Sequence, residues 1–141
     1  MIIVDASVAV KWVIEEEHSS EALRLLAKND ALFGPELLDI EVSSAVVRRA
    51  NMNDFAPDVA IKAIARWRRL LDSFSVQLFR PTQIVLHHAF ELAVRLRHPF
   101  KDAVYLSLAI SEEAELVTAD RRLLEKSRSV YPDVHHLLDR S

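Results

Sequence analysis

The chain has 141 residues, half of them hydrophobic, which suits one compact domain over residues 1–141 with a proper core and no disordered stretch. With 21 acidic and 18 basic residues the formal net charge is −3, which excludes a protein that holds nucleic acid by bulk positive charge. There is no cysteine, so disulfides, thiolate metal sites and Cys nucleophiles are excluded, and a reducing cytoplasm is the expected location.

No apolar run approaches the roughly 18 residues needed to cross a membrane. The start, Met1 to Trp12, resembles a signal peptide only superficially, because no basic segment precedes the apolar one and Asp5 interrupts it. Ile2-Ile3-Val4 is a β-branched run ending at Asp5, and Ala6 to Ile14 continues with helical character. Ser19 and Ser20 are good N-caps for a helix reaching about Asn29. Ala31-Leu32-Phe33, closed by Gly34-Pro35, predicts a second strand, followed by a strong helix from Glu36 to about Asn51.

A further helix is predicted from Pro57 to Phe74, with proline tolerated in its first turn. Val76 to Phe79 is the third strand; Pro81-Thr82 then opens a helix that must end by His98-Pro99. An amphipathic helix from Asp102 to about Ala114 leads into the strand Glu115 to Thr118, and Ala119-Asp120 begins a last helix. Asp133 to Leu137 can form a fifth strand. Strands separated by helices imply right-handed crossovers, hence an α/β fold whose five-stranded parallel sheet is flanked by helices on both faces.

In such a sheet, functional groups gather beyond the carboxyl ends of the strands. Asp5 follows the first strand, Asp120 lies two residues past Thr118, and Asp102 opens the helix feeding that strand. Each also has an ordinary reading as an N-cap that satisfies free backbone N–H groups. Glu41 is harder to explain away. Leu37, Leu38, Ser44 and Ala45 are its neighbours at helical spacing, so it sits on or beside the core-facing stripe, where an ionised carboxylate needs a partner or a cation. The plain alternative is a stripe-edge glutamate that reaches solvent, or an ion pair with Arg48 or another base.

Tyr105, Leu106 and Ala109 continue the face of Asp102, so two helices each turn one carboxylate inward. Converging like charges repel, and cations between them resolve the conflict. An all-oxygen donor set selects Mg2+ or Mn2+ over zinc, and such ions bridge phosphate oxygens and activate water.

Four segments together carry a family resemblance: Ile3 to Trp12, Leu37 to Val42, Lys101 to Ala109 and Leu116 to Leu123. They resemble the signature blocks of PIN domains, and length and spacing are most similar to the VapC ribonucleases of toxin–antitoxin pairs. The resemblance implies a PIN-like fold, one or two Mg2+ or Mn2+ ions, endonucleolytic cleavage of RNA, an antitoxin partner and a homodimer. Carried over by position, Asp5, Glu41, Asp102 and Asp120 match the acidic, catalytic and metal-binding quartet, with Asp5 and Asp102 the principal ligands. Ser7 and Thr118 match polar positions that support the carboxylates or a bound water. Where some relatives carry a further carboxylate after the position of Asp120, this chain has Arg121 and Arg122, which weakens any second metal position.

Lys11, Arg48, Lys101, Arg121 and Arg122 are the candidate phosphate contacts, against the alternative that basic residues merely complement helix ends. The helix carrying Ile61, Ile64, Trp67, Arg68 and Leu71, with Trp12 and Val13, is the candidate partner surface. The pairs His87-His88 and His135-His136 point in different directions and no HExxH occurs, which argues against a zinc site. No GxSxG, GxGxxG or Walker A pattern is present, and Asp5-Ala6-Ser7 lacks the second aspartate of a DxD phosphatase. The competing reading is a PIN-like module that binds RNA or protein with weak or no cleavage.

Overall fold

β-Branched and aromatic runs form the strands and 3.6-periodic segments the helices, and the computed structural model describes residues 1–140 of this arrangement. In chain order these are β1 (Ile2–Val4), α1 (Ala6–Ala9), a 3-10 turn (Val10–Trp12), α2 (Ser19–Ala27), β2 (Leu32–Pro35), α3 (Leu37–Asn51) and α4 (Pro57–Asp72). Then follow β3 (Val76–Phe79), α5 (Gln83–Leu96), α6 (Phe100–Ser111), β4 (Glu115–Thr118), α7 (Arg121–Arg128), β5 (Val134–His136) and α8 (Leu137–Arg140).

All strand pairs are parallel and the sheet order is β3-β2-β1-β4-β5. The chain therefore winds outward from β1 through β2 to β3, then returns to the other side of β1 for β4 and β5. Right-handed crossovers then assign α1 to α4 to one face and α5 to α7 to the other. The reversal falls between β1 and β4, which run side by side with Ile2, Ile3 and Val4 opposite Glu115, Leu116 and Val117. A crevice at the carboxyl ends of these two strands is the usual binding position of a doubly wound sheet.

Ile3, Val4, Leu116 and Val117 are inaccessible to solvent, as expected of central strands covered on both faces. Tyr105 and Leu106 are buried on α6, which packs against β1 and β4, and α3 contributes the buried Leu38, Val42 and Val46. Gly34 lets α3 approach closely: a Cβ there would lie 2.7 Å from Leu38 Cδ2.

Several local expectations are corrected. The helical segment after Asp5 stops at Ala9 and tightens into the 3-10 turn. Ser19 is the first residue of α2, not its cap: its hydroxyl accepts from Glu16 N (2.9 Å) and donates to the Ile14 carbonyl (3.1 Å), while His18 at φ 66° makes the entry. β2 begins at Leu32 and runs through Gly34 and Pro35. α6 begins at Phe100, so Asp102 lies inside its first turn, with Pro99 at the cap.

Candidate metal centre

Asp5 ends β1 and caps α1, accepting from Val8 N at 3.4 Å. Capping leaves room for further bonds on its carboxylate. Ser7 Oγ donates to Oδ1 and Thr118 Oγ1 to Oδ2, both at 2.5 Å. The backbone fixes those hydroxyls in turn, since Ala119 N donates to Ser7 Oγ at 2.9 Å and Asp120 N to Thr118 Oγ1 at 3.0 Å. Asp5 is thus held from both strand ends at the switch point. It is 6% exposed, and burial pushes its carboxyl from 3.8 up to about 6; the two hydroxyls pull it down and the Asp102 charge raises it again.

Asp120 caps α7, its Oδ1 accepting from Arg122 N (2.9 Å) and Leu123 N (3.3 Å). Both backbone bonds end on one oxygen, so capping does not occupy the other. A carboxylate oxygen of Asp120, one of Asp102 and a ring nitrogen of His98 all lie within 4.8 Å of one another.

Glu41 projects from α3 toward the same place. Tyr105 Oη of α6 donates to its Oε1 at 2.6 Å, and Lys101 Nζ lies 3.6 Å from Oε2. Burial, and after it the Glu41 carboxylate, push the Tyr105 phenol far above its ordinary range, with Asp5 and Asp102 adding to the rise. Tyr105 therefore remains a protonated donor, and it stands where the fields of Glu41, Asp5 and Asp102 overlap. The four acidic side chains come from four separate elements and converge at one end of the sheet.

Basic residues are less uniformly placed. Arg48 and Lys101 line a cleft of about 380 Å3 together with Ser7 and Glu41. Arg121 and Arg122 are exposed at the start of α7, and Arg121 adds to the depression of the His136 pKa, which burial begins. Lys11 is committed elsewhere. Its amine lies 3.1 Å from Glu16 Oε1 and donates to the Glu17 carbonyl at 2.8 Å, tying down the loop before α2.

The aromatic residues of the expected partner surface are buried. Trp67, Trp12 and Val13 are core residues; Trp67 Nε1 donates to Asp39 Oδ1 at 2.8 Å, and Trp12 Nε1 to the Ala22 carbonyl at 2.8 Å. Ile61 of α4 is exposed, and a further exposed apolar group, Ile40, Val47 and Met52, lines a groove of about 640 Å3 along α3 bordered by Arg48 and Arg68.

Two site residues were missed by sequence reasoning. Tyr105 lies three residues after Asp102 on α6, a spacing that puts both on one helical face, whereas His98 lies four residues before Asp102 and outside the helix, ahead of the Pro99 cap. Tyr105 reads as core from the apolar stripe around it, and His98 as a helix terminator from the proline that follows it.

Known proteins match this arrangement along most of the chain. Ribonuclease VapC9 of Mycobacterium tuberculosis is 30% identical over 132 residues, covering 94% of this chain and 95% of that protein. The crystal structure of PAE2754 from Pyrobaculum aerophilum superimposes with a TM-score of 0.72 at 25% identity, covering 98% of this chain and 90% of that one. A toxin–antitoxin complex from Klebsiella pneumoniae contains a chain of the same fold, with a TM-score of 0.67 at 15% identity, covering 97% and 98%. The PIN domain family profile matches residues 2–128, and the chain belongs to the PIN domain family.

Proposed function

We propose that this protein is a metal-dependent endoribonuclease of the VapC kind, the toxin of a type II toxin–antitoxin pair. The observation that carries the proposal is the convergence of Asp5, Glu41, Asp102 and Asp120 at the switch point, with Asp5 buried and held by two hydroxyl donors. The donor set fits a hard divalent ion: carboxylate oxygens gathered in a partly dehydrated crevice repel one another unless a cation lies among them. Asp5 and Asp102 are the principal ligands, with Glu41 and Asp120 completing the set directly or through water. Mg2+ or Mn2+ bound there supplies charge neutralisation at phosphate oxygens and activation of water for in-line attack.

The chain's own residues then divide the work. Ser7 and Thr118 fix both oxygens of Asp5, so the carboxylate cannot rotate away from the crevice. Tyr105 and Lys101 do the same for Glu41 from α6. Arg48 and Lys101, which both line the cleft, contact RNA phosphates and set the strand's path past the carboxylates. Lys11 takes no part in this scheme because its charge is already neutralised by Glu16. The antitoxin occupies the apolar groove along α3, where Ile40, Val47 and Met52 offer anchors and Arg68 a charged border.

A mixed RNA pool incubated with the protein and Mn2+ tests this reading. Internal cleavage that disappears with EDTA and in Asp5→Asn is expected. RNA retained intact by a folded, Mn2+-loaded protein contradicts it and favours a binding module.

A further inference from the structure

His98 occupies a position that the nuclease scheme leaves unused. Arg97 leaves α5 in the left-handed region (φ 53°), His98 N donates to the Ala93 carbonyl at 3.1 Å, and Pro99 caps α6. The backbone on either side of His98 is therefore fixed. Its side chain is only 4% exposed, yet neither ring nitrogen has a hydrogen-bond partner among the described residues. An imidazole stripped of water at both nitrogens is costly, and such an orphan is exceptional in a well-packed protein.

The geometry around Nε2 gives the orphan a purpose. It lies 2.9 Å from Asp102 Oδ2, close enough for an ion pair, but without the alignment of a hydrogen bond. A carboxylate oxygen of Asp120, one of Asp102 and a ring nitrogen of His98 lie within 4.8 Å of one another. Two donor atoms bound about 2.1 Å from one ion at right angles to each other lie about 3 Å apart. The separation of Nε2 and Oδ2 has that length, and the ring nitrogen is not aimed at the oxygen itself.

Resting on the metal-centre reading above, we propose that His98 Nε2 is a nitrogen ligand of the divalent cation held by Asp102 and Asp120. Ligation through Nε2 places the ring proton on Nδ1, which has no hydrogen-bond partner among the described residues. One imidazole among carboxylates shifts preference away from Mg2+, which is bound through oxygen, toward first-row transition ions that accept nitrogen, Mn2+ among them. The site is then a mixed nitrogen–oxygen site and not the all-oxygen site expected from the sequence. His98 departs from that expectation because one histidine, four residues before an aspartate, carries no motif of its own.

The test uses the full-length, metal-stripped protein labelled with 15N-histidine and loaded with Mn2+. Pulsed electron paramagnetic resonance is expected to show one directly bound histidine nitrogen, absent in His98→Gln. Calorimetric titration of the same variant is expected to show Mn2+ affinity reduced about tenfold or more and Mg2+ affinity changed less than about threefold. Thermal melts of His98→Gln check that it folds, and the signal from the unmutated protein stands independently of the variant. Mn2+ bound with no histidine coupling overturns the nitrogen ligand while leaving the carboxylate site intact. Equal losses for Mg2+ and Mn2+ make His98 a positioning group for Asp102 and also overturn it. Failure of the unmutated protein to bind Mn2+ at all overturns both this inference and the metal centre.

Discussion

Tyr105 donates its phenolic hydrogen to Glu41 at 2.6 Å, joining α6 to α3 across 64 residues of sequence. The bond anchors Glu41, which lies within α3 and is held by no strand end or helix cap. A hydrogen bond to a charged group contributes about 1.5–3 kcal/mol, and its loss leaves Glu41 half-buried with only Lys101 for compensation. Tyr105→Phe is expected to lower stability by about 1–2 kcal/mol in urea denaturation and to weaken Mn2+ binding about tenfold. An unchanged Mn2+ affinity would remove Tyr105 from the site.

Asp5 makes the stability of the metal-free protein depend on pH. Its carboxyl is raised to about 6 in the fold, from an ordinary value of 3.8. Between about pH 4 and 6 the native state therefore keeps a proton that the unfolded chain has released. Stability of the metal-free protein falls as pH rises through that window, by about 3 kcal/mol at most, because each tenfold difference in proton affinity between the two states contributes roughly 1.4 kcal/mol. In EDTA, Asp5→Asn is expected to flatten this segment of the stability–pH curve and to raise Tm above that of the unmutated protein at pH 7. Added Mn2+ reverses the order by stabilising only the unmutated chain. Equal pH profiles for the two proteins would contradict the assignment.

The sequence made the topology legible because central strands such as Ile2-Ile3-Val4 and Leu116-Val117-Thr118 are short apolar runs, each closed by an acidic residue and a helix. The acidic quartet was legible for a related reason: Glu41 and Asp102 interrupt apolar helical stripes, where a lone charge is conspicuous. What remained hidden depends on distances between elements. Nothing local says that Lys11 will meet Glu16, that Trp67 will bury against Asp39, or that His98 will point at Asp102. Exposure was misjudged for the same reason. Trp67 and Ile61 share one helix, but only packing against α3 makes the first a core residue and leaves the second 71% exposed.

Gly34 positions the site from a distance. A methyl group there meets Leu38 Cδ2 at 2.7 Å, and Leu38 is fully buried one turn before Glu41. Gly34→Ala is expected to push α3 away from β2, destabilising the fold by about 1–3 kcal/mol, the usual range for overpacking. Cleavage should fall further than the folded fraction does, because Glu41 moves with the helix. Circular dichroism melts read beside the cleavage rate separate the two effects.

Arg48 and Lys101 are expected to act on phosphate and not on base identity. Arg48→Ala and Lys101→Ala should each weaken RNA binding across unrelated sequences and reduce the salt dependence of log Kd by about 0.7, the increment for one contact to a single strand. Arg49, already held by Glu16 at 2.8 Å and Asp54 at 2.6 Å, should leave the salt slope unchanged when replaced, although the fold would lose those bridges. Filter binding across a series of salt concentrations reads these slopes directly.

Crystals grown with Mn2+ and examined by anomalous scattering address the carboxylate centre most directly. Density is expected beyond the carboxyl ends of β1 and β4, in contact with Asp5 and Asp102, and should vanish in Asp102→Asn crystals. A fully ordered crevice without anomalous signal at saturating Mn2+, or with signal only at surface carboxylates remote from Asp5, would contradict the account.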